Sequence, residues 1–222
     1  MENETGTKQK TQKRDYEFIL QFIIVGVLLL LIVYNLGKLY GNDGGNVATG
    51  FAIVSASEII PSGVPAIYGD KLGVRYDDVS PNNPALADTT IAKLSQYEDA
   101  DLDEEQMQRY IKIGSSISCE YCCGAQAIIF SNGQRACGCA HSYAMRGLAK
   151  YLLMNNSEMN DEEILNELGK WKVLFFPGIH EQKAQILKEK GIDPTNYINL
   201  ASNLYRGIEQ GPPSGGGMVG GC

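Results

Sequence analysis

Residues 118–141 read SCEYCCGAQAIIFSNGQRACGCAH, and the rest of the chain must be arranged around this stretch. It holds five of the 6 cysteines and one of the 2 histidines. Residues 127–130 have the apolar pattern of a strand, Asn132-Gly133 is typical of a two-residue type I′ turn, and residues 134–136 can run back. Because the two ends of a hairpin meet, the sequence predicts one compact cluster of cysteines.

Three chemistries use cysteines at this density. A metal ion takes four Cys or His ligands, and a C-x2-C turn supplies two of them from one loop. Two thiols at the same spacing can instead cycle between dithiol and disulfide. The third possibility is a structural disulfide in an exported domain. The adjacent Cys122 and Cys123 favour a crowded metal site. A domain of about 150 residues should also fold without disulfide cross-links.

The metal site is predicted to use four of five residues from the two turns. These candidates are Cys119, Cys122, Cys137, Cys139 and His141. Cys123 and Cys222 are expected to act as reserve or transfer ligands, and Met218 adds a thioether close to Cys222. Because thiolate and thioether ligands select soft or borderline ions, the predicted cofactor is Zn²⁺ or Cu(I). Cys139 precedes a predicted helix, whose N-terminus favours the thiolate.

Charge and motif content exclude several functions. The formal net charge of -7 argues against nucleic acid as a partner, since phosphate binding needs a basic face. The acidic run at residues 99–105 lacks the glycine and closing glutamate of an EF-hand loop and fits a helix N-terminus better. The sequence contains no Ser-His-Asp set, phosphate-binding loop or convincingly spaced carboxylate pair, so hydrolysis and nucleotide chemistry have no support.

The N-terminal part predicts a membrane anchor. Residues 18–37 (FILQFIIVGVLLLLIVYNLG) carry no charge and would span about 30 Å as a helix. A cleavable signal peptide is the alternative, but the run is long for one and no clear cleavage site follows closely. Basic residues within 1–17 predict a cytoplasmic N-terminal tail, with the rest of the protein outside.

The remaining sequence predicts a mainly α protein. Residues 38–58 are a predicted linker, 59–210 an extracytoplasmic helical domain with the Cys-rich knuckle at 118–141, and 211–222 a flexible Gly-rich tail. The turn-rich start of the domain is expected to wrap around it, with short strands at 66–68 and 73–76. Apolar periodicity and capping residues predict helices over 88–97, 142–155, 161–172, 179–190 and 194–206, and a further helix that begins at Asp101 or Asp103 and ends near 113. Trp171 is assigned to the core, and His180 to the surface or a cap.

Three segments after the knuckle carry a family resemblance: SYAMR at 142–146, DEEI at 161–164, and WKVL at 171–174 with Pro177 after it. They resemble the small helical domain of the CcmH-type cytochrome c maturation thiol reductases, where a C-x2-C precedes a helix with a similar Ala-Met-Arg step. The chain is also similar to the PCYCGC-motif membrane proteins, which combine clustered cysteines with a helix pair of this kind. The resemblance covers about residues 119–177.

The reductase resemblance implies an enzyme in which Cys119 and Cys122 are the exchanging thiol pair. The chain departs from that pattern, because no Leu-Arg precedes Cys119 and a hairpin separates the C-x2-C from the helix. It also has four further cysteines, which would be liable to pair wrongly in an exchanging enzyme. These departures favour a metal site.

The sequence thus predicts a single-pass membrane protein with its domain outside the cytoplasm. The favoured function is metal binding, as a structural zinc site or in Cu(I) handling. The alternative is a thiol–disulfide oxidoreductase. The expected partners are the membrane and a protein that exchanges metal or thiols, and no nucleic acid.

Overall fold

The computed structural model of the chain describes residues 21, 23–32, 53–209 and 217–221. The chain divides into two compact units, Met1–Gly50 and Phe51–Cys222. In the first unit, residues 23–32 are helical. No helix within the described ranges combines the length and apolar character needed to cross a membrane. Much of the predicted span (18–20, 22 and 33–37) and the predicted cytoplasmic tail lie outside those ranges, so the anchor stays a prediction.

The second unit is helical, and its described residues form no strand. The mainly α prediction is therefore confirmed. The α-helices are α1 (Ala56–Ile59), α2 (Gly69–Leu72), α3 (Pro84–Ser95), α4 (Glu104–Ser115), α5 (Glu120–Cys123), α6 (Ala140–Asn155), α7 (Asp161–Phe175), α8 (Pro177–Glu189) and α9 (Tyr197–Ala201). Two 3₁₀ helices, Tyr76–Asp78 and Asn203–Tyr205, complete the described set.

Two helices begin with reciprocal side-chain caps. At α4 the Asp103 carboxylate accepts from the Gln106 N–H at 2.9 Å, and the Gln106 side chain accepts from the Asp103 N–H at 3.1 Å. Asn160 and Glu163 cap α7 in the same way, as the sequence predicts. Each cap stabilises its helix by about 1 kcal/mol. The acidic residues 103–105 are thus explained by the start of α4, and Asp99 pairs with Arg135.

Helices α6 and α7 carry the centre of the core. Their fully buried side chains include Leu148, Leu152, Leu168, Trp171 and Phe175. Helix α3 approaches α6 at Gly147, where an added Cβ would lie 2.3 Å from the Leu94 carbonyl oxygen. Only glycine allows this close approach, which brings the start of α6 against α3.

The segment before α3 wraps around α7 and is held by buried hydrogen bonds. The hydroxyls of Tyr68 and Tyr76 donate to the Glu167 carboxylate at 3.0 and 2.8 Å. The Trp171 indole N–H donates to the Tyr68 hydroxyl at 2.7 Å. The wrapping prediction is confirmed, but the short strands predicted here are wrong. Helix α2 and the 3₁₀ helix Tyr76–Asp78 are found instead of strands. Side chains of this segment contact α7, while its backbone groups form hydrogen bonds within their own turns.

The two ends of this unit differ from the sequence analysis. Val54, within the predicted linker, is buried against the second part of the core. Val219, within the predicted flexible tail, is 2% exposed, and its N–H donates to the Phe175 carbonyl at 2.9 Å. The helix predicted over 194–206 is interrupted, since Ser202 is extended and its hydroxyl accepts from the Leu204 N–H.

Candidate metal centre

The chain reverses direction at residues 127–136, between the two cysteine-rich turns. Ile129 and Arg135 form an isolated antiparallel bridge, flanked by backbone hydrogen bonds of 2.7 and 3.2 Å. The predicted reversal is present, but the predicted two-residue type I′ turn is wrong. That turn needs positive φ at both central residues, and within the bend only Gly133 has it, at 81°. The loop therefore has three residues, 131–133, and the paired segments are too short to form strands.

A buried arginine fixes this bend to α6. Arg146 is fully buried, and its Nη1 donates to the carbonyl oxygens of Ile128 at 3.0 Å and Cys137 at 2.9 Å. Its Nε donates to the Glu98 carboxylate at 2.7 Å. Glu98 also accepts from Arg135, on the returning side of the bend. One buried ion pair thus sets the position of the second cysteine-rich turn.

Four predicted ligands meet at this position: Cys119, Cys122, Cys139 and His141. One ligand atom from each lies within 4.8 Å of all the others, and three of the four residues are buried. Cys119 and Cys122 come from the start and body of α5, while Cys139 is the N-cap of α6. The Cys/His group can therefore hold a metal ion. The two turns converge, as the hairpin argument predicts.

The sulfurs of Cys119 and Cys139 lie 3.1 Å apart and share a hydrogen bond. This bond lowers the pKa of Cys139 far below its usual value, and hydrogen bonds with His141 and Ser142 add to the effect, although burial opposes it. The same bond, together with burial, raises the pKa of Cys119. The Ser142 N–H, in the first turn of α6, donates to the Cys139 sulfur at 3.4 Å. The two sulfurs therefore share one proton, and the pair can provide one thiolate.

His141 is fully buried and held in one orientation. Its ring stacks against Phe175 and Phe176, with centroids 4.6 and 5.1 Å away. Its Nε2 lies 2.9 Å from the Val219 carbonyl oxygen, which can only accept a hydrogen bond. Nε2 therefore carries a proton, which makes Nδ1 the ring nitrogen that could ligate an ion after losing any proton of its own. A carbonyl that orients a histidine through its distal nitrogen is the usual outer-shell arrangement of metal sites.

Cys123 and Cys137 form a disulfide, with a sequence separation of 14. The sequence analysis places Cys137 among the ligands and Cys123 in reserve, whereas the structure bonds them to each other beside the group of four. Their sulfurs nevertheless lie within 4.8 Å of the Cys139 sulfur. Cys222, the other predicted transfer ligand, lies outside the described residues. Met218 is 45% exposed, and no contact places it at the cluster.

A buried cation next to the cluster was not foreseen from the sequence. Lys172 is fully buried; its Nζ donates to Glu120 at 2.9 Å and to the Ala201 carbonyl at 2.8 Å. Burial lowers the pKa of Lys172, and the negative charge of Glu120 partly restores it. The cation therefore favours negative charge on the sulfurs. The only hint in the sequence is that Glu120 lies inside the knuckle.

Helix α8 brings two more buried polar residues near Lys172, and the surface position predicted for His180 is wrong. His180 and Lys183 are both fully buried. Burial, followed by the charge of Lys172, lowers the pKa of both, that of Lys183 to about 8. The sequence did contain a signal, because positions 180, 183, 184 and 187 share one helical face, and Leu187 lies in the core.

The cluster reaches the surface beside Cys139. A cavity of about 560 Å³ opens there, lined mainly by small or apolar residues that include Ile91, Gly138 and Tyr143. Cys139 itself is 8% exposed, and Cys122 is half-buried. Another cavity of about 560 Å³, near Pro61, has no cysteine or histidine in its lining. The access route therefore leads to Cys139.

Comparisons with family models, curated proteins and solved structures give no match for this chain. The similarity to the cytochrome c maturation thiol reductases and the PCYCGC-motif proteins stays a prediction from the sequence. The functional argument therefore rests on the residues of the cluster and on their geometry.

Proposed function

We propose that this chain is a membrane-anchored, extracytoplasmic protein that binds one Zn²⁺ or Cu(I) ion through Cys119, Cys122, Cys139 and His141. The supporting observation is that four ligand atoms lie within 4.8 Å of one another. With Zn–S bonds of about 2.3 Å, ligands around tetrahedral zinc are about 3.8 Å apart. Only small shifts are therefore needed: the sulfurs of Cys119 and Cys139, 3.1 Å apart, would separate slightly, and the more distant ligand atoms would move closer. Three cysteines and one histidine are also an established structural zinc set.

The chain's own residues prepare the site. The hydrogen-bonded pair of Cys119 and Cys139 supplies one thiolate, and binding would displace the proton that the two sulfurs share. The Val219 carbonyl makes Nδ1 of His141 the nitrogen that could ligate the ion, and Lys172 balances the charge of the thiolates. A bound ion would supply a cross-link between α5 and α6, close to the disulfide.

The identity of the ion decides the role of the protein. A structural zinc would make the domain a scaffold or interaction module, whereas an accessible Cu(I) would make it a metal-handling protein. The half-buried Cys122 and the cavity at Cys139 are compatible with transfer to a partner that brings its own thiols. The membrane location rests on the apolar run at 18–37, and the acidic net charge of -7 argues against nucleic acid.

A second candidate is a thiol–disulfide oxidoreductase that uses Cys119 and Cys122. The nearby disulfide of Cys123 and Cys137 favours it, because it places thiols and a disulfide in one cluster. However, Cys119 is fully buried and its pKa is raised. A redox nucleophile needs an accessible thiolate. Metal binding therefore has the stronger support.

Native mass spectrometry with thiol counting tests the proposal. The full chain, in a Cys222→Ser background, would be reconstituted with Zn²⁺ or with Cu(I) under anaerobic conditions. We expect one bound ion, and the thiols of Cys119, Cys122 and Cys139 should resist alkylation until a chelator removes it. Cys139→Ser should weaken binding by more than the roughly 10–100-fold that loss of an outer-shell partner causes.

The matched control is the double variant Cys123→Ser with Cys137→Ser, which removes two sulfurs outside the ligand set. It should retain a single ion with little change in affinity. If the protein is instead metal-free and exchanges its disulfide with the thiols of a substrate protein, the oxidoreductase function would be supported.

A further inference from the structure

Cys139 belongs to two sulfur groups at once. Its Sγ is within 4.8 Å of the other three atoms of the candidate metal site. The same Sγ is within 4.8 Å of the sulfurs of Cys123 and Cys137, which are bonded to each other. Cys139, which is not in a disulfide, thus lies next to the Cys123–Cys137 disulfide. Its sulfur could reach either sulfur of that bond with a small movement.

We propose that Cys139 exchanges into this disulfide, so that the protein isomerises between two disulfide pairings. The Cys139 thiolate attacks the Cys123 sulfur, a Cys123–Cys139 bond forms, and the Cys123–Cys137 bond breaks. The bonding pair leaves with Cys137 as a thiolate, which takes a proton from water. One disulfide is replaced by another, so the reaction consumes no oxidant or reductant and leaves the number of thiols unchanged.

The attack is directed at Cys123 rather than at Cys137. Cys137 and Cys139 are only two positions apart in the sequence, so a disulfide between them would have to close a small ring around Gly138. A disulfide between them would be difficult to close with ordinary geometry. Cys123 lies at the end of α5 and is exposed, so its side chain can turn from one partner to the other. Cys137 is buried and is the leaving group.

The exchange would couple disulfide pairing to metal occupancy, and this coupling rests on the proposed function. Cys139 cannot ligate an ion and form a disulfide at the same time. A bound ion therefore preserves the Cys123–Cys137 pairing, and loss of the ion permits the exchange. Conversely, formation of Cys123–Cys139 leaves only Cys119, Cys122 and His141 of the proposed site, which would release the ion.

Peptide mapping of the full chain would detect the second pairing. A Cys222→Ser background would be loaded with Zn²⁺, and half of the sample would be stripped with a chelator without oxygen. Both halves would be incubated, alkylated and digested without reduction. In the stripped protein we expect a Cys123–Cys139 peptide, with alkylation of Cys137 rising as alkylation of Cys139 falls, one for one. The loaded protein should contain only the Cys123–Cys137 peptide.

Cys139→Ser is the control, with circular dichroism to confirm that it folds. It should never yield alkylated Cys137. If it does, or if the stripped protein retains only Cys123–Cys137 after long incubation, the exchange proposal is wrong. Zinc stoichiometry on the same samples separates the two proposals. Zinc binding without disulfide exchange would support the metal site and contradict the exchange proposal. Disulfide exchange without zinc binding would support the exchange and contradict the metal site.

Discussion

Two groups of buried charge lie near the sulfur cluster, and they differ in how completely their polar atoms are paired. Arg146 bonds to Glu98 and to two carbonyl oxygens, which leaves only its Nη2 without a partner among the described residues. Lys183 and His180 are buried just as deeply. Yet the Lys183 Nζ and the His180 Nε2 find no partner in the described part of the chain.

This difference in pairing predicts that the buried charge of Arg146 stabilises the fold, whereas the buried amine of Lys183 destabilises it. Removing a buried charge from water costs several kcal/mol unless ion pairs and hydrogen bonds offset the loss. For Arg146 they do, and its partners are the backbone of the bend that carries Cys137. For Lys183 the offset is missing. Substituting the two residues should therefore change stability in opposite directions.

The largest effect is expected for Arg146→Met. Loss of the guanidinium leaves two carbonyl oxygens without their donor, and the Glu98 carboxylate, 4% exposed, keeps only Arg135 as its cationic partner. Breaking a buried pair in this way costs about 3–5 kcal/mol. Urea unfolding should show a lower free energy of unfolding by that amount. Metal affinity should fall as well, because the bend that positions the second cysteine-rich turn loses its anchor.

Arg135→Met is the matched control, since Arg135 pairs with the same carboxylate but its side chain is 46% exposed. Its loss leaves Arg146 to compensate Glu98 and should cost far less. Equal losses for the two variants would show that burial does not distinguish these arginines.

The opposite sign is expected for Lys183→Met. Near pH 7 it should raise the free energy of unfolding by about 1–3 kcal/mol, because an unpartnered buried polar group is replaced by an apolar chain. Burial lowers the pKa of Lys183 to about 8, against 10.5 for an ordinary lysine. Between these values the unfolded chain binds a proton that the folded chain does not. The contribution of Lys183 to stability therefore rises with pH over this range.

Urea unfolding of both proteins at several pH values checks this prediction. The advantage of Lys183→Met should shrink as the pH approaches 10.5, while Lys190→Met, an exposed position beside the same helix, should show no such trend. A Lys183→Met variant that is less stable near pH 7 would mean that the amine has a binding partner in the folded protein.

The clustering of the cysteines could be predicted from the sequence, but their pairing could not. Clustering follows from a short bend between two cysteine-rich turns, whatever the exact turn type. Pairing depends on whether the first turn is helical. In α5, Cys122 and Cys123 follow Cys119 by three and four residues and point about 100° apart, which directs their sulfurs to different partners. The sequence of residues 119–123 alone does not predict this short helix.

Long-range packing explains the other differences. The glycine-rich composition of residues 211–222 predicts a flexible tail, yet Val219 is buried and its N–H bonds to the Phe175 carbonyl. Nothing near Val219 in the sequence indicates that contact. Likewise, the single carboxylate of Glu120 gives no sign that Lys172 will lie beside it, 52 positions later.

The smallest change in the free energy of unfolding is expected at an exposed ion pair. Lys112 is 74% exposed, and its Nζ lies 2.9 Å from Asp161, which also accepts from Arg109 at 2.7 Å. Because water already solvates the amine and Arg109 remains, Lys112→Ala should cost only about 0.5 kcal/mol. The loss should disappear near 1 M salt, where the screening length is about 3 Å. Urea unfolding at low and high salt measures it, and a loss approaching that of Arg146→Met would mean that burial does not set the energy of this protein's ion pairs.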